Sequence, residues 1–218
     1  GYLAALDLDT GKVAWRRARG DASTYSSPHV ATVGGIEQVL ITGGDRLASY
    51  DPTTGEPLWQ TECIAESTCG TVVTSEDRIF ASGGYPNNET VCLSGTGERI
   101  WSDRTNVYEP SLVAAGGHVF AVTDDGVAYC WSAENGDVRW RKRLGGNFSS
   151  SPVICNGNVY VADLKGNCYV FQAAGDQYTE LAKNRLGDDC YASPAVVGGA
   201  IYFRIGVGSG DGRSEKLM

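Results

Sequence analysis

The chain has 218 residues, 42 % of them hydrophobic, and a formal net charge of −8 at pH 7. That length and composition suffice for one domain with a sizeable core, while the acidity argues against a nucleic-acid binder, which needs clustered Lys and Arg to displace phosphate counterions. No apolar run of about 18 residues occurs, so no helical membrane span is expected, and the first residues carry no signal-peptide pattern.

In chain order, the first patterned segment is Ala5-Leu6-Asp7-Leu8-Asp9-Thr10-Gly11-Lys12-Val13-Ala14-Trp15, with the glycine four residues before the tryptophan. The same spacing returns as Gly55 and Trp59, Gly97 and Trp101, and Gly136 and Trp140, at intervals of 44, 42 and 39 residues between tryptophans. A period of about 40 residues is expected when a four-stranded blade is copied around a β-propeller. An indole buries a wide, flat apolar surface with few rotatable bonds and lies well against a residue without a side chain. The spacing therefore predicts that each pair docks one unit on the next.

Pro28, Pro110, Pro152 and Pro194 keep a second beat, with Gly70 where a proline is missing. Each opens a short apolar run, and a proline at the start of a strand loses no interior ladder bond. The fourth unit reads as strands over Val119 to Val122, Val127 to Trp131 and Val138 to Arg141, turned by Asp125-Gly126 and Asn135-Gly136. In the fifth, Ser151 to Cys155, Val159 to Ala162 and Cys168 to Phe171 are separated by Asn156-Gly157 and Lys165-Gly166. Such dipeptides supply the positive φ angles of tight hairpins. Because no apolar pattern of period 3.6 is sustained, the fold class is all-β: a β-propeller of four-stranded antiparallel blades, about five of them present.

Gly1 opens on the third strand of a unit, Pro194 to Val197 and Ile201 to Ile205 are a first and a second strand, and Glu215 to Met218 begins another third strand. Residues 1–218 are thus expected to be a single propeller domain, incomplete at the N-terminus and cut short at the C-terminus; closure into a five-bladed ring is the alternative.

Seven cysteines occur, and six lie in or beside predicted strands as small hydrophobes. Cys63 and Cys69 flank a polar loop and are candidates for a disulfide in an exported protein. His29 and His118 have no nucleophile or orienting acid at a recognisable spacing, so no catalytic residue is assigned. Asp124-Asp125-Gly126 lacks the alternating oxygen ligands of a calcium loop and reads as a hairpin turn; no metal ligand is assigned. Arg139, Arg141, Lys142 and Arg143 read as a solvated outer edge.

The Ala5–Trp15 segment resembles the tryptophan-docking motif of the pyrroloquinoline-quinone-like propeller repeat family. The second copy keeps Asp51, Thr54, Gly55 and Trp59 with Ser49 at the alanine position; the third and fourth have Leu93 and Ser132 in place of the aspartate; the unit around Phe171 to Leu181 has no tryptophan. The resemblance covers essentially the whole chain and implies seven or eight blades in the complete protein. It leaves two functions open. One is a non-catalytic, BamB-like protein-binding scaffold of the cell envelope, periplasmic or extracellular, without a cofactor. The other is a quinone-dependent alcohol or sugar dehydrogenase or its remnant, for which the expected adjacent cysteine pair is missing and no cofactor-binding residue is found. In a propeller the loops entering the innermost strands surround one mouth of the central funnel. Those loops carry Tyr25, then Asn106, Tyr108 and Glu109, then Asn147 and Phe148, then Asp189 and Tyr191, the expected rim for gripping a protein or peptide. Asp188 and Asp189 are expected to make it acidic.

Overall fold

The computed structural model describes residues 1–20, 24–64 and 67–218. The chain divides into two compact units, Gly1–Asn106 and Val107–Met218. Every described regular element is a strand apart from one 3₁₀ turn at Gly210–Gly212.

In the first unit, β1 (Tyr2–Leu6) and β2 (Val13–Ala18) form a two-stranded antiparallel sheet. A four-stranded sheet follows in the order β3 (His29–Val33), β4 (Ile36–Thr42), β5 (Arg46–Tyr50), β6 (Pro57–Glu62). A second one runs β7 (Val73–Ser75), β8 (Arg78–Gly83), β9 (Glu89–Ser94), β10 (Arg99–Asp103).

In the second unit, β11 (Val113–Ala115) to β14 (Val138–Arg143) make one meander, with β12 (His118–Val122) and β13 (Val127–Ser132) between them. Another is β15 (Val153–Cys155), β16 (Asn158–Ala162), β17 (Asn167–Gln172), β18 (Glu180–Arg185). Two short pairs end the chain: β19 (Ala195–Val197) with β20 (Ala200–Tyr202), and β21 (Arg204–Val207) with β22 (Ser214–Leu217). The expected strand at Glu215 to Met218 is therefore present, and Met218 extends it by exchanging backbone hydrogen bonds with Phe203.

Three of the four indoles are seen docked. Trp15 lies over Gly55, where an added Cβ would stand 2.5 Å from the ring, and its Nε1–H donates to Pro52 O at 2.8 Å. Trp59 covers Gly97 in the same way and donates to Gly95 O at 3.0 Å. Trp140 donates to Ala174 O at 2.8 Å and packs edge-on against Phe171 and Tyr178 of the following sheet. Trp101 is 8 % exposed, its ring 6.0 Å from Phe80. Register explains how the rings are aimed. Trp15, Trp59, Trp101 and Trp140 face Ala5, Ser49, Cys92 and Cys130 across the strand pair, and a register shift recurs beside each pairing. A bulge bends the strand locally and redirects its side chains. Cys92 and Cys130 thus take the place of the motif's alanine, where only a small side chain fits under an indole.

The turn before each tryptophan is built by its first polar residue. Asp7 Oδ1 accepts from the backbone N–H of Thr10 at 2.8 Å, and Asp51 Oδ1 accepts from those of Thr53 and Thr54 at 2.8 Å. The Thr10 hydroxyl, donating at 2.5 Å, together with the Thr10 N–H holds the Asp7 carboxyl below the usual range, and the Thr54 N–H does so for Asp51. In the third unit this position belongs to Ser94 rather than Leu93: Ser94 N–H donates to Glu98 O, whereas Asp7 N–H donates to Lys12 O. The turn is one residue shorter, which shifts any count made backwards from Trp101.

The proline beat is also less regular than its spacing suggests. Pro28, Pro152 and Pro194 immediately precede β3, β15 and β19, but Pro110 stands three residues ahead of β11.

Leu40, Leu47, Val72, Ile79 and Leu93 centre one core cluster; Phe120, Trp140, Phe148, Val159 and Phe171 centre another. Buried Gln38 links neighbouring sheets, accepting from Trp59 Nε1 and Ser49 Oγ and donating to Gly95 O. The four basic residues of β14 are exposed, as expected for an outer edge.

All seven cysteines are thiols, and no Cys63–Cys69 disulfide is formed. Burial pushes Cys63, Cys92 and Cys130 up to about 12 and Cys168 up to about 11. Since the thiolate is the reactive form, Ellman's reagent at pH 8 should label only half-buried Cys69 and Cys155 in the folded chain, and all seven after denaturation. Prompt labelling of Cys63 or Cys130 in the native state would contradict this packing.

Candidate partner-binding rim

The rim residues occupy the loops that enter β3, β11, β15 and β19. In the first unit, Tyr25 is 73 % exposed and held by its backbone N–H, which donates to Thr68 O at 2.9 Å. The neighbouring Ser67 bridges to Tyr85, itself 67 % exposed in the loop between β8 and β9. Asn106 is half-buried, and its Oδ1 lies against Gly84 with no partner among the described residues.

In the second unit Asp124 ties the candidate loops together. Its carboxylate accepts from the backbone N–H groups of Tyr108 and Glu109 at 2.8 and 2.9 Å. Its carbonyl accepts from the Phe148 N–H at 2.9 Å and from Asn147 Nδ2 at 3.3 Å. The hairpin at Thr123–Gly126 thus pins two successive entry loops, and Ser149 Oγ donates to the Glu109 carboxylate. Below the loops, Ser111 N–H donates to Ser151 Oγ and Ser151 N–H donates to Ser193 Oγ, each at 2.8 Å, lacing three consecutive sheets together.

Tyr191 is 62 % exposed, and Asp189 beside it is clasped by Arg213 through Nε at 2.7 Å and Nη2 at 2.8 Å. Those bonds hold the Asp189 carboxyl below its usual range. Asp188, also lowered, accepts from Gly208 N–H and Arg185. The expected acidity of this stretch is therefore largely offset by Arg185 and Arg213.

One rim residue is corrected. Phe148 is 2 % exposed, its ring 5.7 Å from Tyr169 inside the core. Counted from the last residue before the first hairpin turn, Tyr25 lies eight positions back, Tyr191 six, and Tyr108 and Phe148 seven. In an extended chain an odd offset reverses the side that a residue faces, and Tyr108 is accordingly half-buried. Tyr85 and Arg213 carry no expectation from the sequence and Asp124 reads there only as a turn residue; the loop of Tyr85-Pro86-Asn87-Asn88, longer than its counterparts, was the available signal for the first.

Neither histidine faces the rim loops' polar groups. His29 Nε2 meets Thr74 Oγ1 at 3.1 Å, with burial lowering its pKa, and His118 meets Gly116 O through Nδ1 with its ring against Gly175.

A family model described as outer membrane protein assembly factor BamB matches residues 1–111 and 86–181. The chain belongs to the BamB family. It is 26 % identical over 179 residues to outer membrane protein assembly factor BamB of Yersinia pestis, covering 79 % of this chain and 36 % of that protein. The crystal structure of BamB from Moraxella catarrhalis superposes with a TM-score of 0.75 at 17 % identity, over 94 % of this chain and 64 % of the other. Quinohemoprotein alcohol dehydrogenase from Comamonas testosteroni gives 0.63 at 12 % identity, over 84 % and 40 %. These likenesses show the fold to be a β-propeller, with the antiparallel sheets as its blades. This BamB-family chain spans less than two thirds of the relatives' own length.

Proposed function

We propose that this chain is a non-catalytic, protein-binding part of an outer-membrane-protein assembly factor, acting at the cell envelope on its periplasmic side. The observation that carries the reading is the family match across residues 1–181. The quinone-dependent dehydrogenases share the fold at 12 % identity, and the sequence has no adjacent cysteine pair.

In this reading residues 1–218 belong to one propeller domain of seven or eight blades, consistent with the 64 % share of the Moraxella chain. Tyr25, Tyr85, Tyr108 and Tyr191 supply broad amphipathic contact surface, with Asn106, Glu109, Asn147 and Asp189 as polar neighbours. Tyr25, Tyr85 and Tyr191 are exposed and Tyr108 half-buried; tyrosines suit protein recognition because they bury much area with little loss of rotamer freedom. Asp124 is a positioning residue, presenting Tyr108 and Glu109 on a fixed backbone.

The test is capture of assembly components from detergent-solubilised outer membranes by the tagged chain. Tyr25→Ala, Tyr85→Ala and Tyr191→Ala combined, all at exposed positions, should abolish capture with the thermal midpoint unchanged. Asp124→Ala should weaken it and cost about 1–3 kcal/mol through the unpaired N–H groups. Undiminished capture by the folded triple variant would reject this rim.

A further inference from the structure

A cleft of about 870 Å³ lies in the first unit between β2 and the β3–β6 sheet, lined by Arg17, Arg19, Gly44, Arg46, Tyr50 and Gln60 among others. Comparison of successive blade junctions explains why it is open. The position four residues after the docking tryptophan is Arg19, Cys63, Thr105 or Leu144, and it is Leu186 after Ala182, which replaces the tryptophan in the next unit. Cys63 and Leu144 pack into core clusters at their junctions, and Leu186 does so while lining a smaller apolar cavity of about 330 Å³. At the first junction a guanidinium stands there instead, followed by Gly20 where Ile64 fills the second.

The charges are unevenly matched. Arg17 is engaged by Gly55 O and by an ion pair with Glu56. Arg46 bonds Gly44 O and the Gln60 amide, each at 3.1 Å, and among the described residues the Arg19 guanidinium bonds Thr42 O at 3.5 Å. Among the described residues no carboxylate pairs with Arg19 or Arg46, although Asp45 also lines the cleft. In a chain of net charge −8, two guanidinium groups lining one open cleft, neither paired with a carboxylate among the described residues, favour an anion. Arginine forks match the paired oxygens of a phosphate-type group in both geometry and charge.

We infer that this cleft binds a phosphate-type oxyanion between Arg19 and Arg46, a site separate from the rim. The group is carried either on a free small molecule or on a lipid headgroup. The full chain would be titrated with inorganic phosphate at constant ionic strength, following the Arg Nε–H resonances by NMR. A parallel arm would measure co-sedimentation with phosphatidylglycerol vesicles against phosphatidylcholine vesicles.

Saturable shifts at Arg19 and Arg46, or selective sedimentation, are expected, and either identifies the source. Arg19→Leu should weaken the response about tenfold or more while leaving the thermal midpoint equal or higher, since leucine packs into the core cluster at the equivalent position 144. Arg46→Gln provides a second reduction at a surface position. No saturable response in either arm, or wild-type affinity in Arg19→Leu, would overturn the inference.

Discussion

Replacing Trp140 with alanine should lower stability by about 3–5 kcal/mol, the usual cost of deleting a large buried ring. Trp140 is 9 % exposed and spans a junction: Phe120 of its own sheet at 6.0 Å, and Phe171 and Tyr178 of the next at 5.9 and 5.5 Å. Its removal leaves a cavity lined by three aromatic rings and orphans the Ala174 carbonyl. For a chain of this size the thermal midpoint should fall by roughly 10 °C. Trp140→Phe keeps most of the packing and loses the N–H donor, so it should cost about 1–2 kcal/mol. Thermal and urea unfolding of both variants measure the difference; an alanine variant within about 1 kcal/mol of the parent would mean that the sheets are joined by other contacts.

Gly97→Ala should be strongly destabilising for a single methyl addition. The new Cβ would sit 2.4 Å from Trp59 Cε3 and 2.6 Å from Cδ2, on a backbone with φ of +83°. Gly11 is its internal control: the same turn position, φ of +68°, and nothing within 4 Å. Gly11→Ala should therefore show only the conformational penalty of about 1 kcal/mol, and Gly97→Ala that penalty plus overpacking, roughly 3 kcal/mol in all. In a Trp59→Ala background the ring is gone and Thr61 Oγ1 at 3.0 Å is the remaining close contact, so the cost of Gly97→Ala should fall towards that of Gly11→Ala. Residues in contact show such coupling, whereas independent sites add. Equal costs at Gly11 and Gly97 would show that the turn's conformation, and not the indole, selects glycine.

The tie between Gly55 and Trp15, or Gly97 and Trp59, was legible because it depends on a spacing that the chain repeats and on two residue types with few substitutes. What surrounds the tie was not. The register shift opposite Trp59 depends on how β5 and β6 pair, and Ser94 replaces an aspartate after a one-residue contraction of the turn, which a fixed spacing counted from Trp101 misplaces.

The rim was legible only as a set of loops. Phe148 and Tyr191 recur at nearly the same interval, but one residue of phase in extended chain separates a core ring from an exposed one. Asp124 reads as a turn residue and is one; that its carboxylate also fixes the loop bearing Tyr108 follows from tertiary contact alone. Arg19 carries no motif, and its interest comes from comparison with Cys63, Leu144 and Leu186 at aligned junctions.

Solvent exchange of the indole N–H protons, followed by NMR in deuterated buffer, tests the docking of neighbouring blades most directly. The Nε1–H groups of Trp15, Trp59 and Trp140, each bonded to a carbonyl of the adjoining turn, should exchange orders of magnitude more slowly than a free indole and be lost together on unfolding. Exchange of all three at the free-indole rate in the folded protein would contradict the account.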